Sequence, residues 1–296
     1  MRETVKDLTT RSWEGHVMGT EARLLVVTVD PEAGDEALVR ASEDLEATEQ
    51  ALSRFRGDSE LSRLNRSGTA VAGERLLIAF REAIRAYEWS GGLLDPRVIV
   101  PLERFGYRGG IPDGDVGEVE PVEPLVSVGM AAWVRESGEI SLPPGVRLDL
   151  AGVGKALGIG WAAAHLAGHV GVLVDVGGDI VALGTDEQGE SWRAAVVHDE
   201  HAVGLFAGSP LAIATSTKAR RAWFAAGRKA HHLIDSRTGA PANDEISSAT
   251  VAAPSILEAD QAAKLLIIEG IAALERLDER CRAVVTYRQG RTEVLS

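Results

Sequence analysis

The chain has 296 residues, with 31 Lys and Arg against 44 Asp and Glu, which gives a formal net charge of −13. Binding to a phosphate backbone requires clustered basic side chains, so this charge argues against a general nucleic-acid-binding protein and against attraction to an anionic membrane. The composition, 45% hydrophobic and 25% charged, is typical of a globular protein with a large core. The single cysteine, Cys281, excludes an intramolecular disulfide and a cysteine-rich zinc site.

The first twenty residues and the overall hydropathy bear on location. Residues 1–20 contain no apolar segment typical of a signal peptide or a lipoprotein leader. No stretch approaches the roughly 18 consecutive apolar residues that a membrane-spanning helix requires. We therefore expect a cytoplasmic protein without a membrane span; its oligomeric state is not indicated.

The apolar pattern in chain order predicts mixed helices and strands without regular βαβ alternation. The predicted helices cover residues 31–55, 74–89 and 153–166. The predicted strands cover residues 23–30, 146–150, 170–183 as two strands, 192–197, 211–214, 230–234, 249–253 and 283–287. Ser255 and Glu258 form a capping box before a further apolar run. This order favours an α+β fold with a largely antiparallel sheet.

One segment interrupts this pattern and bears on domain organisation. Residues 111–124 contain three prolines and several acidic residues, a composition typical of a surface excursion. We expect a single domain over residues 1–296, with a candidate internal boundary at this segment.

A glycine-containing turn precedes the third predicted helix. Gly152 and Gly154 lie just before Lys155, but the spacing matches neither the dinucleotide-binding fingerprint nor the P-loop, because Ala156 follows the lysine. Backbone amides at a helix start, together with an ammonium group, can still hold an anionic oxygen. Both a phosphate site and a plain strand-to-helix turn fit this pattern.

A second segment, residues 214–241, concentrates hydroxyl groups and seven basic side chains, counting two histidines and leaving out Arg237. A structural interpretation is a basic β-hairpin followed by a turn at residues 236–239. A functional interpretation is that His232, with Asp235 and Arg237, supplies a base and charge for phosphate chemistry. The spacing alone leaves both interpretations open.

Eight short segments, taken together and in their order along the chain, indicate a protein family. No single segment is sufficient for this assignment. They are VMGT at 17–20, LSRFRGDSELSRLN at 52–65, SGGLLDPRV at 90–98, DLAGVGK at 149–155, VDVGGDI at 174–180, ATS at 214–216, HLIDSRTG at 232–239 and VAAPSILEAD at 251–260. Together they resemble the FAD:protein FMN transferase family, the ApbE-like flavin transferases, from Met18 to about Gly270. The resemblance implies largely antiparallel sheets flanked by helices, T-fold-like, with a flavin cleft between two α+β halves.

The resemblance also implies an activity and its residues. FAD is the donor substrate, and the FMN half passes to a Thr or Ser hydroxyl of a target flavoprotein with release of AMP. His232 occupies the position of the catalytic histidine, where a neutral imidazole can accept the hydroxyl proton. The residues expected to contact FAD by motif position are Met18, Phe55, Leu93, Leu94, Asp95, Asp149, Lys155 and Ser247.

The family's metal site shows the main departure from its pattern. The resemblance implies Mg²⁺ held by the Gly152 carbonyl and the Asp260 side chain, but Ala263 and Lys264 stand where the family often has Asp and usually has Thr. Either the metal site has become a surface ion pair, or the Lys264 ammonium stands in the place of the cation. The departure also leaves open a flavin-binding protein with lost or altered transferase activity. A FAD pyrophosphatase that gives FMN and AMP is a third interpretation.

Overall fold

The computed structural model describes residues 8–120, 123–198, 200–243 and 245–295. The α-helices in these ranges are α1 (Pro31–Leu52), α2 (Glu60–Ser67), α3 (Glu74–Trp89), α4 (Ile99–Arg104), α5 (Ala151–Leu166) and α6 (Ile256–Glu269). Short 3-10 helices cover Met130–Trp133 and Gly270–Arg276. No helix in the described ranges combines the length and the apolar character needed to cross a membrane.

The strands are short and lie mostly in the second half of the chain. They are β1 (Thr9–Val17), β2 (Thr20–Thr28), β3 (Thr69–Val71), β4 (Glu139–Ser141), β5 (Gly171–Val176), β6 (Asp179–Gly184), β7 (Trp192–His198), β8 (His201–Gly208), β9 (Leu211–Thr217), β10 (Ala222–Ala225), β11 (Arg228–His231), β12 (Ile234–Asp235), β13 (Ala240–Pro241), β14 (Ile246–Ala252), β15 (Arg282–Tyr287) and β16 (Thr292–Leu295).

Among the described residues, eight strands form one open sheet in the order β1-β2-β5-β6-β9-β14-β15-β16. Each neighbouring pair in it is antiparallel. β1 and β16 lie at the two edges of this sheet. The prediction of an α+β fold with a largely antiparallel sheet is therefore confirmed.

One face of the sheet packs against α1, α5 and α6. Leu24 and Val26 of β2 alternate along one face, as the period of two in a strand requires, and meet Leu38 and Leu45 of α1 in a buried cluster. The start of α1 is fixed by Asp30, whose side chain accepts a hydrogen bond from the Ala33 N–H at 3.1 Å. The three helices thus cover the central strands, and the residues at the start of α5 line the candidate site.

Two predicted strands differ from the structure. Residues 146–150 form no strand: the Leu148 N–H and C=O are both paired with the Asn65 side-chain amide at 2.8 Å, which replaces a neighbouring strand. The predicted strand 230–234 is two strands, β11 and β12, interrupted at His232 and Leu233. Whether a segment forms a strand depends on hydrogen-bond partners that are distant in the sequence, and the local apolar pattern gives no information about them.

The segment 111–124 runs outside the helices and strands where it is described; Pro121 and Val122 lie outside the described residues. Its backbone contacts the second half of the chain, because the Val116 N–H donates to the Phe224 carbonyl at 3.1 Å. The Asp115 carboxylate also accepts from the Gly227 N–H at 2.7 Å. These contacts join the segment to the β10–β11 hairpin; the single domain with a boundary here stays a prediction.

Candidate functional site

A cavity of about 1250 Å³ opens where the starts of α5 and β6 meet α6 and the segment after β11. Most of the residues predicted from the family resemblance line it. They are Phe55, Leu93, Leu94, Asp95, Asp149, Gly152, Lys155, His232 and Asp260. The fold therefore brings together side chains that lie up to about two hundred positions apart in the sequence.

Met18 and Ser247 have other surroundings and are not among the residues that line the cavity. Met18 lies in the two-residue turn between β1 and β2 with φ 53°, and its N–H donates to Glu49 Oε2 at 2.9 Å. The following Gly19 does line the cavity. The Ser247 hydroxyl donates to the Thr286 carbonyl at 2.9 Å, which joins β14 to β15. A direct contact of either side chain with FAD stays a prediction.

Lys155, on the second turn of α5, is paired with a residue to which the sequence assigned no role. Its Nζ lies 2.5 Å from Asp179 Oδ2, and the Asp179 side chain is 1% exposed. Asp179 Oδ1 accepts a hydrogen bond from the Thr215 N–H at 2.9 Å. In the sequence, Asp179 directly follows two glycines and begins an otherwise apolar strand. A charged residue at such a position could have indicated a buried partner.

The second ion pair of the cavity lies on α6. Lys264 contacts the Asp260 carboxylate one helical turn earlier, and its Nζ donates to the Gly152 carbonyl oxygen at 3.2 Å. The two side chains are only 16% and 5% exposed. The interpretation of a surface ion pair is therefore wrong for these two residues, because both are largely removed from water.

Burial leaves Asp260 in an unusual electrostatic state. Desolvation raises the pKa of its carboxyl group, the Lys264 charge opposes this rise, and the Asp179 charge adds to it. Asp260 Oδ2 is buried and has no hydrogen-bond partner among the described residues. A buried acceptor of this kind is costly unless it is paired, so the site holds one oxygen that is available to a ligand.

The residues present do not fit a divalent cation as they are arranged. Both predicted ligands, the Gly152 carbonyl and an Asp260 oxygen, are in contact with the Lys264 ammonium, and Ala263 offers no oxygen. Mg²⁺ requires near-octahedral oxygen coordination. Across the described ranges, no three His, Cys, Asp or Glu side chains are grouped so that they could hold a metal ion.

His232 follows β11 and faces the cavity. Its Nδ1 is buried and has no hydrogen-bond partner in the described part of the chain. Burial lowers the pKa of His232 to about 3, and the positive charges of Arg221 and Lys264 act in the same direction. The imidazole is therefore neutral at ordinary pH, with a free nitrogen lone pair.

A third ion pair, Arg54 with Asp149, lies beside the aromatic part of the cavity. Arg54 Nε lies 2.8 Å from Asp149 Oδ2, and the Ala151 N–H donates to Asp149 Oδ1 at 2.8 Å. The carboxylate thus satisfies one of the free N–H groups at the start of α5. The Arg54 guanidinium also lies 4.2 Å from the Phe55 ring centroid and 5.0 Å from that of Tyr107. Arg54 lies in a matched segment, but only the fold shows its partners.

Asp95 has a different role from the other carboxylates. Arg97 surrounds it: the Arg97 N–H and Nε–H both donate to Asp95 Oδ1, at 2.8 and 2.9 Å. The guanidinium also donates to the Val126 carbonyl at 2.8 Å. Asp95 therefore has its oxygens occupied and fixes the loop that carries Leu93 and Leu94.

Residues 214–241 combine the structural and the functional interpretation. β10 and β11 form the expected hairpin, and the Gly239 N–H closes the expected turn by donating to the Asp235 carbonyl at 2.8 Å. Arg220, Arg221 and His232 line the cavity. Asp235 and Arg237 do not; they pair with each other, with Nε to Oδ1 at 2.9 Å. With Lys155 and Lys264, the arginines bring positive charge into the cavity of an acidic protein, although carboxylates also line it.

Comparisons with known proteins identify related sequences. The ApbE family model matches residues 18–286. The chain is 30% identical over 266 residues to the FAD:protein FMN transferase of Salmonella typhimurium, covering 83% of this chain and 75% of that protein. It is 29% identical over 289 residues to the protein of the same name from Vibrio cholerae serotype O1, covering 93% of this chain and 84% of that one.

Solved structures share the fold. The flavin transferase ApbE from Vibrio cholerae superposes with a TM-score of 0.78 at 24% identity, covering 97% of both chains. The ApbE protein from Thermotoga maritima gives a TM-score of 0.80 at 19% identity, covering 96% of both chains. The family model covers residues 18–286 of the 296, and the chain belongs to the ApbE family.

Proposed function

We propose that this chain is a FAD:protein FMN transferase, which moves FMN from FAD to a Thr or Ser hydroxyl of a target flavoprotein and releases AMP. The observation that carries the proposal is the neutral His232 imidazole facing the same cavity as Lys155 and Lys264. A base next to ammonium groups that can bind a diphosphate is what transfer of a phosphoryl group to a hydroxyl requires. The relatives named as such transferases support the same reaction.

In this reaction the acceptor hydroxyl oxygen attacks the phosphorus on the FMN side of the diphosphate. The new P–O ester bond forms as the bond from this phosphorus to the bridging oxygen breaks, and AMP leaves with that electron pair. His232 accepts the hydroxyl proton. Lys155, Lys264 and Arg221 stabilise the negative charge that collects on the phosphate oxygens. The same negative charge favours the imidazolium, so FAD raises the pKa of His232 towards the working pH.

The aromatic wall fits the flavin ring. Phe55 is 47% exposed and packs edge-on against Tyr107, at 5.9 Å between ring centroids. Tyr107 in turn stacks on Trp223 at 5.3 Å. Because this chain of contacts fixes the orientation of the Phe55 ring, its exposed face offers a preset stacking surface for a planar ligand.

The acceptor and the location are the finer parts of the proposal. We propose an acceptor protein with an exposed Thr or Ser, because the cavity mouth must admit the hydroxyl up to His232. We also propose a cytoplasmic location: Cys281 is a buried free thiol, and burial raises its pKa, so the chain relies on no oxidising compartment. Fractionation of the producing cells would test the location.

Mass spectrometry of an acceptor protein incubated with FAD and this chain tests the function. We expect a covalent FMN adduct and free AMP, with the rate lowered about 10²–10⁴-fold in His232→Asn. His165→Asn, a partly exposed histidine of α5 outside the cavity lining, is the matched control. Free FMN with AMP and no adduct would instead indicate a FAD pyrophosphatase. Bound, intact FAD without AMP would indicate a flavin-binding protein.

A further inference from the structure

The Lys264 ammonium lies at the point where two predicted metal ligands converge. It contacts an Asp260 oxygen and lies 3.2 Å from the Gly152 carbonyl oxygen, which belongs to a different helix. An ammonium group donates up to three hydrogen bonds and carries one positive charge. Two of these hydrogen bonds go to groups that would otherwise ligate a cation, and the group still lines the cavity.

The charges around this point already balance. Lys264 pairs with Asp260 and Lys155 pairs with Asp179, and the Asp260 carboxylate interacts electrostatically with all three of the other groups. A divalent cation on the unpaired Asp260 Oδ2 would lie close to the ammonium groups of Lys264 and Lys155, and it could bind the Gly152 carbonyl as well only by displacing Lys264. Coulomb repulsion in a weakly polar interior makes this arrangement unfavourable.

We propose that Lys264 replaces the divalent metal of this site, so that the chain binds the diphosphate of FAD without Mg²⁺. The identity of the ligand rests on the proposed function. The third N–H of Lys264 donates to a diphosphate oxygen, while Asp260 and Gly152 hold the ammonium in place. A charge-assisted hydrogen bond of this kind supplies the positioning and part of the charge neutralisation that a metal supplies elsewhere.

Manganese binding to the chain alone, followed by electron paramagnetic resonance, tests the metal side. We expect no stoichiometric Mn²⁺ site in the natural sequence, because the ammonium occupies it. The double variant Ala263→Asp/Lys264→Thr restores oxygen ligands and should gain one site, which the further change Asp260→Asn removes. One Mn²⁺ bound by the natural sequence and lost in Asp260→Asn would overturn the proposal.

FAD binding, followed by flavin fluorescence with excess EDTA or with Mg²⁺, tests the ligand side. We expect equal affinity in the two buffers for the natural sequence. Lys264→Met should weaken FAD binding about tenfold or more through loss of a charged hydrogen bond. Lys264→Arg keeps the charge and should remain insensitive to EDTA, and Lys229→Met, an exposed lysine of β11, should bind as the natural sequence does. Loss of FAD binding in EDTA would overturn the proposal.

The two buffers also separate this inference from the transferase activity. FAD binding that is insensitive to EDTA, with no adduct on any acceptor, would overturn the proposed function and support the role of Lys264. An FMN adduct that forms only in the Mg²⁺ buffer, because FAD does not bind in EDTA, would support the proposed function and overturn the role of Lys264. Absence of FAD binding in both buffers would overturn both. These comparisons use the natural sequence, so they test the proposal even if a variant fails to fold.

Discussion

Lys155 Nζ lies 2.5 Å from Asp179 Oδ2, so the second turn of α5 is joined to the first residue of β6 by an ion pair whose carboxylate is buried. Asp179 also accepts the Thr215 N–H of β9 with its other oxygen. The carboxylate thus connects a helix and two neighbouring strands at the base of the cavity. Its position is fixed by the fold before any ligand binds, which keeps the Lys155 ammonium close to the start of α5.

Replacing Lys155 with methionine should destabilise the protein, because Asp179 would keep a buried charge without a partner. We expect the free energy of unfolding to fall by about 1–3 kcal/mol, less than for a fully buried pair because Lys155 is partly hydrated. Urea denaturation measures this change. In the double variant Lys155→Met/Asp179→Leu the loss should be smaller than the sum of the two single losses; strict additivity would show that the pair contributes nothing.

Asp149 offers a second test, because its two oxygens have different partners. Asp149→Asn keeps an acceptor for the Ala151 N–H but loses the charge opposite Arg54, whereas Asp149→Ala loses both. We expect Asp149→Ala to lower the free energy of unfolding by about 1 kcal/mol more than Asp149→Asn, the usual worth of a helix-start hydrogen bond. Equal stability of the two variants in urea would contradict the capping role. Both should also weaken FAD binding, since the Arg54 guanidinium would lose its anchor.

Phe55 should contribute to FAD binding but little to stability. Phe55→Ala removes an exposed stacking surface. We expect the Kd for FAD to rise about 3–10-fold, which corresponds to the loss of one aromatic stacking contact. The melting temperature should change little. Phe224→Ala is the matched control, because Phe224 is 54% exposed and does not line the cavity. An equal loss of FAD affinity in both variants would show that the Phe55 ring does not stack on the ligand.

The sequence predicted which side chains share one cavity better than it predicted the contacts that hold them there. Local patterns located α1, α3 and α5 closely, because apolar residues at helical spacing and the residues that begin a helix act over one or two turns. The predicted strand at residues 146–150 was wrong, because the Asn65 side chain takes the place of a pairing strand. Strand pairing joins residues distant in the chain, which a local window does not contain.

The resemblance predicts that His232, Asp149 and Lys155 lie near one another, and all three line the same cavity. They did not reveal the partners Asp179 and Arg54, because ion pairs between distant segments leave no spacing signal in a single sequence. The sequence alone fits two interpretations of Lys264, a surface ion pair and a replacement for the cation. Only its burial and its 3.2 Å contact with Gly152 exclude a solvated surface pair.

The two adjacent histidines should make the folded state sensitive to acid. Burial lowers the pKa of His231 from 6.5 to about 4, and its ring is held neutral: Nε2 donates to the Ala242 carbonyl at 3.0 Å, and Nδ1 accepts from the Leu233 N–H at 3.3 Å. The pKa of His232 is lowered further, to about 3. Between pH 6.5 and 4 the unfolded chain therefore binds protons that the folded chain does not, and stability falls as the pH falls.

We expect the free energy of unfolding, measured in urea at several pH values across this range, to fall on acidification by about 1 kcal/mol per pH unit for His231 alone. His231→Gln keeps an N–H donor near the Ala242 carbonyl but carries no titrating group, so its stability should depend less steeply on pH. The acidic side chains contribute similarly to both proteins, so the difference between the two slopes isolates the imidazole. Identical slopes would mean that folding does not lower the pKa of His231, which its hydrogen bonds oppose, since a protonated Nδ1 could not accept the Leu233 N–H.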